Sequence, residues 1–344
     1  MFGFFTESEY PLKRYLSSKS LPDLRPLTPE DFNIEGFLDD CDRLFELHEA
    51  CGGDFIFSGS IFWGVPWIEA ALGCSIVASH ETGSIHSVLP VNFDGKASSI
   101  PYFDEDSPWV KKAGEYLVKI SERSHGRWPV GTTRMRGISD LLSALYGSAD
   151  FIYAMLENPD AIHAVCEKLS DFYISFARYQ LDHIPLFHGG IGSFYYHMWT
   201  PAGTVWHQED AAALLSPTLY DEFIRPYNEK IIKAFPGNIM HQHPVNFLPT
   251  NSYIEMGMTA LEMHIDEGGP SAKALYPRHM SILKEKPLLI WGRLSESDFE
   301  WIFTQLPSKG LAVMAVVDGI QEASQLWERY RKKIMTVQAG GGIL

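Results

Sequence analysis

The chain has only four cysteines, and all of them lie in its first half. No two are spaced as a CxxC pair, which argues against both a disulfide framework and a thiolate metal site. No apolar run reaches the length of about 18 residues that a transmembrane helix needs. The N-terminal residues carry acids and a proline where a signal peptide needs an apolar core. We therefore expect a cytoplasmic protein with no membrane partner.

Positive charge is also scarce, because 28 Lys and Arg stand against 43 Asp and Glu and give a formal net charge of −15. Such a chain has no broad attraction for phosphate backbones, so we expect no nucleic-acid partner. An anionic ligand would need a local arginine instead. With 45% hydrophobic and 21% charged residues, the composition excludes disorder as the main state.

Strand and helix patterns alternate regularly from Pro217 to Met335. The predicted strands of this part are 238–243, 259–265, 287–294 and 311–318. They are nearly all apolar, as parallel strands covered on both faces must be. This rhythm predicts a (β/α)8 TIM barrel, formed as a single domain by residues 51–337. Residues 1–50 are predicted to be an N-terminal helical extension packed outside the barrel.

Two histidines stand at the end of one predicted strand, where the sequence reads NIMHQHP. Side chains two apart on a strand share a face, so His241 and His243 point the same way. In a barrel of this kind, catalytic groups lie at the C-terminal strand ends. Two converging imidazoles there can bind one metal ion. A strand end whose histidines bond only backbone and water is the alternative, and both interpretations stay open.

Acidic side chains at neighbouring strand ends extend this candidate site. We predict Asp318, which ends the last strand, as the third metal ligand, with Glu262 as second choice. Glu262, Asp210 and His264 are the predicted catalytic residues. Glu209, Asp210 and His264 are also candidates to orient the ligands. Two nitrogens and one or two oxygens suit zinc and leave a coordination position for the substrate.

Aromatic residues follow several predicted strands, notably in the stretch FYYHMW. They could line a pocket for a flat or apolar ligand, although core packing is the alternative for each ring. Arginines such as Arg127, Arg134 and Arg136 could hold a carboxylate, with surface ion pairs as the alternative. The predicted substrate-binding residues are Trp63, Trp67, Tyr195, Tyr196, Trp199 and Arg134.

Several segments resemble the uroporphyrinogen decarboxylase superfamily, which includes the cobalamin-dependent (corrinoid) methyltransferases. The likeness covers roughly residues 55–335, and the family fold is a (β/α)8 barrel. Its most specific part is a D…SP..Y..F..PY..K pattern followed by a strand that ends in histidine. The segments are GVPWIEAALGCSI (64–76), LLSALYGSADFIYAMLENPDAIHAV (141–165), DAAALLSPTLYDEFIRPYNEKIIKAF (210–235), NIMHQHP (238–244) and MGMTALEMHI (256–265).

The resemblance favours the methyltransferase branch over the decarboxylase branch. Decarboxylases of the family carry an arginine-rich glycine loop after the first barrel strand, whereas residues 58–67 of this chain contain no arginine. The methyltransferases bind zinc through a His-x-Cys pair on the strand that here ends in His241, plus a cysteine near the last strand. Here His243 replaces the first cysteine, and no cysteine follows Cys166. Imidazole and carboxylate ligands leave more Lewis acidity on the metal than thiolates do.

These considerations predict a zinc-assisted methyltransferase. It would move a methyl group between a small methylated substrate, such as a methyl ether, and cobalamin carried on a partner corrinoid protein, since this chain lacks a DxHxxG-type motif. The alternatives are a lyase or decarboxylase acting on a smaller carboxylic acid held by Arg134, Arg136 or Arg293, and a non-catalytic binding barrel. A homodimer is compatible with each of them.

Overall fold

The structure, a computed structural model, describes residues 1–193, 195–245 and 247–340, with side chains as far as Arg331. Strands of the central sheet are almost entirely buried, because helices cover their outer faces. The strands are β1 (Phe2–Thr6), β2 (Pro26–Leu27), β3 (Ser75–Ser79), β4 (Ser84–Val88), β5 (Met135–Arg136), β6 (Gly190–Ser193), β7 (Met198–Pro201), β8 (Thr204–Gln208), β9 (Gly237–His241), β10 (Ala260–Ile265), β11 (Leu288–Gly292) and β12 (Leu311–Val317).

Helix ends follow local sequence signals. The long helix of residues 34–51 begins where the side chain of Asn33 accepts a hydrogen bond from the Gly36 amide, and it ends before Gly52, whose φ is 69°. Ser295 and Asp298 form a capping box at a later helix start. The helices are α1 (Pro11–Arg14), α2 (Ile34–Cys51), α3 (Trp67–Ala71), α4 (Pro108–Ser124), α5 (Ile138–Tyr146), α6 (Asp150–Glu157), α7 (Pro159–His183), α8 (Pro217–Phe223), α9 (Arg225–Lys233), α10 (Thr250–Glu255), α11 (Tyr276–Leu283), α12 (Glu296–Gln305) and α13 (Ile320–Gly340), and the 3-10 turns are Leu16–Ser20, Pro29–Asp31, Ala97–Ser99 and Asp210–Leu214.

The central sheet is parallel and has seven strands in the order β1-β12-β11-β10-β9-β8-β5. Along β10, alternation places Glu262 and His264 on one face and Leu261 and Met263 on the other. Antiparallel pairs β3–β4 and β6–β7 lie outside this sheet. The predicted class, an α/β fold of the TIM-barrel type, is confirmed, and so are the four predicted strands of the C-terminal half, to within about two residues at each end.

The hydrogen-bonded ladder does not close into a complete ring. Extended segments lie between β1 and β5 instead, where the sequence predicts strands 54–64 and 127–133. The Asp54 amide donates to the Phe2 carbonyl at 2.8 Å, and the Gly59 amide donates to the Pro129 carbonyl at 3.0 Å. A single bridge joins Gly59 to Val130. Pro129 has no N–H to donate, which limits regular pairing in this segment.

The N-terminus departs from the prediction of an extension outside the barrel. Residues 2–6 form β1, which pairs in parallel register with residues 313–317 and is buried along its whole length. That prediction was therefore wrong for this strand. A five-residue apolar run followed by several prolines carries no periodicity long enough to reveal a strand, and only its pairing with β12 defines it. Helix α2 packs against β1 and α13.

Two further expectations concern the cysteines and the membrane. All four cysteines are free and buried, in agreement with the absence of a disulfide framework. No helix within the described residues is both long enough and apolar enough to cross a membrane.

Candidate metal site and cavity

A cavity of about 370 Å³ opens at the C-terminal ends of the sheet strands. Residues from the ends of β1, β8, β9, β10 and β11 contribute to its wall, which is where a barrel of this kind places its chemistry. Aromatic rings, imidazoles and carboxylates alternate around it. The lining residues are Glu9, Tyr10, Trp63, Arg134, Tyr195, Tyr196, Trp206, Gln208, Asp210, His241, His243, His264, Asp266, Glu267 and Trp291.

Three side chains of this wall form a candidate metal site. His241 is the last residue of β9, His243 lies two residues further on, and Asp210 follows β8. Their ligand atoms all lie within 4.8 Å of one another. The two imidazole centroids are 4.6 Å apart. Two nitrogens and one oxygen with room for a further ligand match the donor set of a catalytic zinc site. The residues present therefore fit the predicted metal.

Hydrogen bonds behind the two imidazoles hold them in position. The Nδ1 of His241 bonds the Oε2 of Glu262, which also accepts a hydrogen bond from the Tyr196 hydroxyl at 2.7 Å. The Nδ1 of His243 lies 2.7 Å from the Oδ1 of Asp266. With both Nδ1 atoms engaged, the Nε2 atoms are available to a metal. Metal-binding histidines in general are oriented by partners of this kind.

Burial and neighbouring charges act differently on the ionisable groups of this cluster. Burial and the neighbouring His243 hold the pKa of His241 well below its usual range, so this imidazole is neutral at pH 7, as a ligand must be. Burial opposes the charge of Asp210, but the nearby imidazoles, Arg136 and the Gln208 amide together outweigh it and lower the pKa of that carboxyl. Burial raises the pKa of Glu262 to about 8.

His264 belongs to a second group of ligand atoms together with His243 and Asp266, again within 4.8 Å of one another. Its ring stacks on Trp291 at 4.4 Å, and its Nδ1 lies 3.0 Å from the Oδ1 of Asp266. The Nε2 is 3.7 Å from Glu9. Burial opposes the charge of His264, but Asp266 and Glu9 outweigh it and raise its pKa to about 9. His264 lies in the cavity wall, and its catalytic role stays a prediction.

The structure places the predicted third ligand outside this group. Asp318 follows the end of β12, its side chain is 81% exposed, and it forms an ion pair with Arg293 at 2.8 Å. Asp210 lies with His241 and His243 instead. Glu262 does not line the cavity but lies behind His241, whose Nδ1 it bonds. Its position two residues before His264 on β10 keeps it deeper in the barrel.

Four of the six predicted substrate-binding residues line the cavity, and they are Trp63, Tyr195, Tyr196 and Arg134. The other two were predicted wrongly. Trp67 is a core residue whose ring is 1% exposed and whose Nε1 donates to the Phe62 carbonyl at 2.8 Å. Trp199 lies on β7, is 44% exposed, and donates to the Phe187 carbonyl. A position shortly after a predicted strand does not determine the direction in which a side chain points.

Two other predicted roles change as well. Glu209, a candidate to orient the metal ligands, accepts hydrogen bonds from the amides of Ile138 and Ser139 and so caps α5. Arg136 is engaged by Glu69 at 3.3 Å and by Asp140 at 3.2 Å. Arg127 pairs with Asp42. These arginines follow the alternative that the sequence left open, namely pairing with the protein's own acids.

Several cavity residues are absent from the predicted site, and Glu9, Tyr10, Gln208 and Trp291 are four of them. Glu9 and Tyr10 follow β1, which was assigned to the extension. The amide of Gln208 donates to the Asp210 carboxylate, and Trp291 forms the aromatic floor under His264. All four lie at or after strand ends, so the same strand-end rule would have found them once β1 was recognised.

Comparison with known proteins gives a shared fold. No protein-family model and no curated protein matches this chain. Among solved structures, 21 chains match. A methyltransferase from Methanosarcina mazei superposes with a TM-score of 0.58 over 85% of this chain and 86% of that chain, at 12% sequence identity. At this identity the match establishes similar architecture, and the chemistry must be argued from the site itself.

Proposed function

We propose that this chain is a metal-assisted methyltransferase in which Asp210, His241 and His243 hold a zinc ion. The observation that carries the proposal is the convergence of these three groups in one aromatic cavity at the C-terminal strand ends. The fold shared with a methyltransferase from Methanosarcina mazei supports it. Three protein ligands leave the open position that a catalytic site needs for its substrate.

The residues of the chain have separable tasks in this proposal. Zinc bound here would supply a Lewis acid for the ether oxygen or amine nitrogen of a methylated substrate. Glu262 and Asp266 keep the two imidazoles in a ligating orientation. Tyr195 packs on Trp63 at 4.8 Å and on Trp291 at 4.6 Å, which forms a continuous aromatic wall that excludes water from the substrate. Tyr195 has a φ of 67°, an uncommon conformation for this residue type.

The methyl group would leave the substrate without its bonding electrons, which stay on the oxygen or nitrogen. A reduced cobalamin with an available electron pair would accept it. The cavity has the size of a small-molecule site, so a corrin ring would be presented at its mouth by a partner protein. The sequence prediction of a corrinoid partner is retained on this ground.

Metal analysis tests the first half of the proposal. Wild type, His241→Ala, His243→Ala and Asp210→Ala are loaded with zinc, dialysed and submitted to elemental analysis. His86→Ala is the control, because His86 is an exposed histidine outside the cavity. We expect stoichiometric zinc in wild type and control and loss in the three variants. Equal metal in all five proteins, or none in wild type, would contradict the site.

Methyl transfer tests the second half. Small methyl ethers are incubated with the zinc-loaded protein and reduced cobalamin, and the visible spectrum of the cobalamin is followed. Methylation by wild type and by His86→Ala, but not by His241→Ala, is the expected result. Failure of all tested methyl donors with a zinc-loaded wild type would argue against a methyltransferase.

The lyase interpretation remains a second candidate because one observation favours it. The guanidinium of Arg134 faces the same cavity and could hold a carboxylic acid. Release of CO2 from such an acid, without methylation of cobalamin, would establish a lyase in place of the methyltransferase.

A further inference from the structure

Arg134 is the cavity residue with a charge that the protein does not neutralise. It is half-buried, it lines the cavity, and its Nε is buried without a hydrogen-bond partner. Within the described residues, no carboxylate forms an ion pair with it. Guanidinium remains charged at neutral pH, and a partly buried cation without a counter-ion costs free energy. The Arg134 guanidinium is therefore a cationic hydrogen-bond donor that is available to a ligand in the cavity.

The acids around Arg134 are engaged elsewhere. Glu69 and Asp140 contact Arg136, which lies two residues further on in β5. Asp210 belongs to the metal group with His241. Each of these three carboxylates thus faces another partner, and none of them forms an ion pair with Arg134, which leaves the guanidinium to a ligand anion.

The rest of the wall limits what that ligand can be. Glu9 and Asp266 lie in the same wall beside His264 and already pair with it, so this imidazole is not a free cation for a second anionic group. Aromatic rings, including Trp63, Tyr195 and Trp291, line the same cavity as Arg134. The cavity therefore suits a small molecule with an apolar, preferably flat body and one negative charge.

We infer that Arg134 binds the carboxylate of the substrate, and that the substrate class is small methylated monocarboxylic acids with an aromatic or apolar body. That the substrate carries a methyl group rests on the proposed function, whereas the recognition of its carboxylate by Arg134 does not. Arg134 would act as a binding and specificity residue. A guanidinium can form two parallel hydrogen bonds to a carboxylate, which fixes the orientation of the ligand.

The test measures binding without turnover, with benzoate and its neutral analogue benzamide as probes. Titration calorimetry is carried out on the metal-free and the zinc-loaded protein. A charge-assisted hydrogen bond predicts that wild type binds benzoate about 10 to 100 times more tightly than benzamide in both forms. Arg134→Gln should lose this preference, and Arg134→Lys should keep part of it.

Arg293→Gln is the matched control, because Arg293 also follows a sheet strand but is already paired with Asp318. It should bind both probes like wild type, and thermal unfolding checks that every variant is folded. Equal binding of both probes by wild type, or a preference that survives in Arg134→Gln, would overturn the inference. So would a preference that disappears on zinc removal alone, since the metal would then hold the carboxylate.

The result is independent of methyl transfer, because no cobalamin and no methyl donor are present. Arg134-dependent binding of benzoate together with failed methyl transfer would refute the proposed function and leave the anion site established. Successful methyl transfer without Arg134-dependent binding of benzoate would refute the anion site and leave the proposed function intact.

Discussion

Replacing Glu262 with glutamine should weaken zinc binding although Glu262 is not a ligand. The side chain is fully buried, and its Oε2 accepts hydrogen bonds from the Nδ1 of His241 and from the Tyr196 hydroxyl. Glutamine has nearly the same volume, so the packing is preserved. An amide, however, offers a single acceptor oxygen, and its NH2 group competes for the position that faces the Nδ1 of His241, so it orients the imidazole less well than a carboxyl group does.

The magnitude follows from the role of the residue. Removal of a carboxylate that orients a metal-binding histidine typically lowers metal affinity about 10- to 100-fold, or roughly 1.4 to 2.7 kcal/mol. Tyr196→Phe removes one donor to Glu262 and a hydroxyl that lies 3.2 Å from the Nδ1 of His241, but it leaves the contact between Glu262 and His241, so a smaller loss is expected. Asp318→Asn should have no effect, because Asp318 is exposed and paired with Arg293.

Competition with a chromophoric chelator measures the zinc dissociation constant of wild type and of the three variants. Circular dichroism verifies that each variant is folded. A wild-type affinity in Glu262→Gln would refute the orienting role of Glu262. A large loss in Asp318→Asn would show that the carboxylate ligand was assigned to the wrong residue.

Three further substitutions test the fold. His279 is fully buried and neither ring nitrogen has a hydrogen-bond partner, and burial together with Arg278 lowers its pKa to about 4. Because the pKa is lower in the folded state, the free energy of unfolding falls as the pH drops below the unfolded-state pKa of about 6.5. His279→Leu removes this group, so urea titrations should show a loss of unfolding free energy between pH 7 and pH 5 that is smaller by about 2 kcal/mol. An unchanged loss would contradict the assignment. Trp67→Ala should destabilise the protein by about 3 to 5 kcal/mol and leave the zinc affinity of the folded molecules unchanged, because Trp67 is a core residue. Trp199→Ala should change both the stability and the zinc affinity little, because Trp199 is exposed. Similar destabilisation by both substitutions would contradict this placement.

Much of the architecture and the centre of the site could be predicted from the sequence. Strands β9 to β12 are apolar runs separated by helical patterns, and such patterns are local, so the residues themselves report them. The pair His241 and His243 could be predicted because the two-residue period of an extended chain and the strand-end rule both act over a few residues.

The remaining features depend on contacts between distant parts of the chain. β1 is recognisable only by its pairing with β12, more than three hundred residues away in sequence. Asp210, and not Asp318, lies beside the two histidines because of the directions in which two chain segments leave the barrel. Trp63 lines the cavity whereas Trp67, at the start of α3, points into the core, and this difference depends on how the segment around them folds. Arg134 differs from Arg136 only in what surrounds it. Strand periodicity is encoded by neighbouring residues, whereas the partner of a charged or aromatic side chain is decided by which distant segments fold against it.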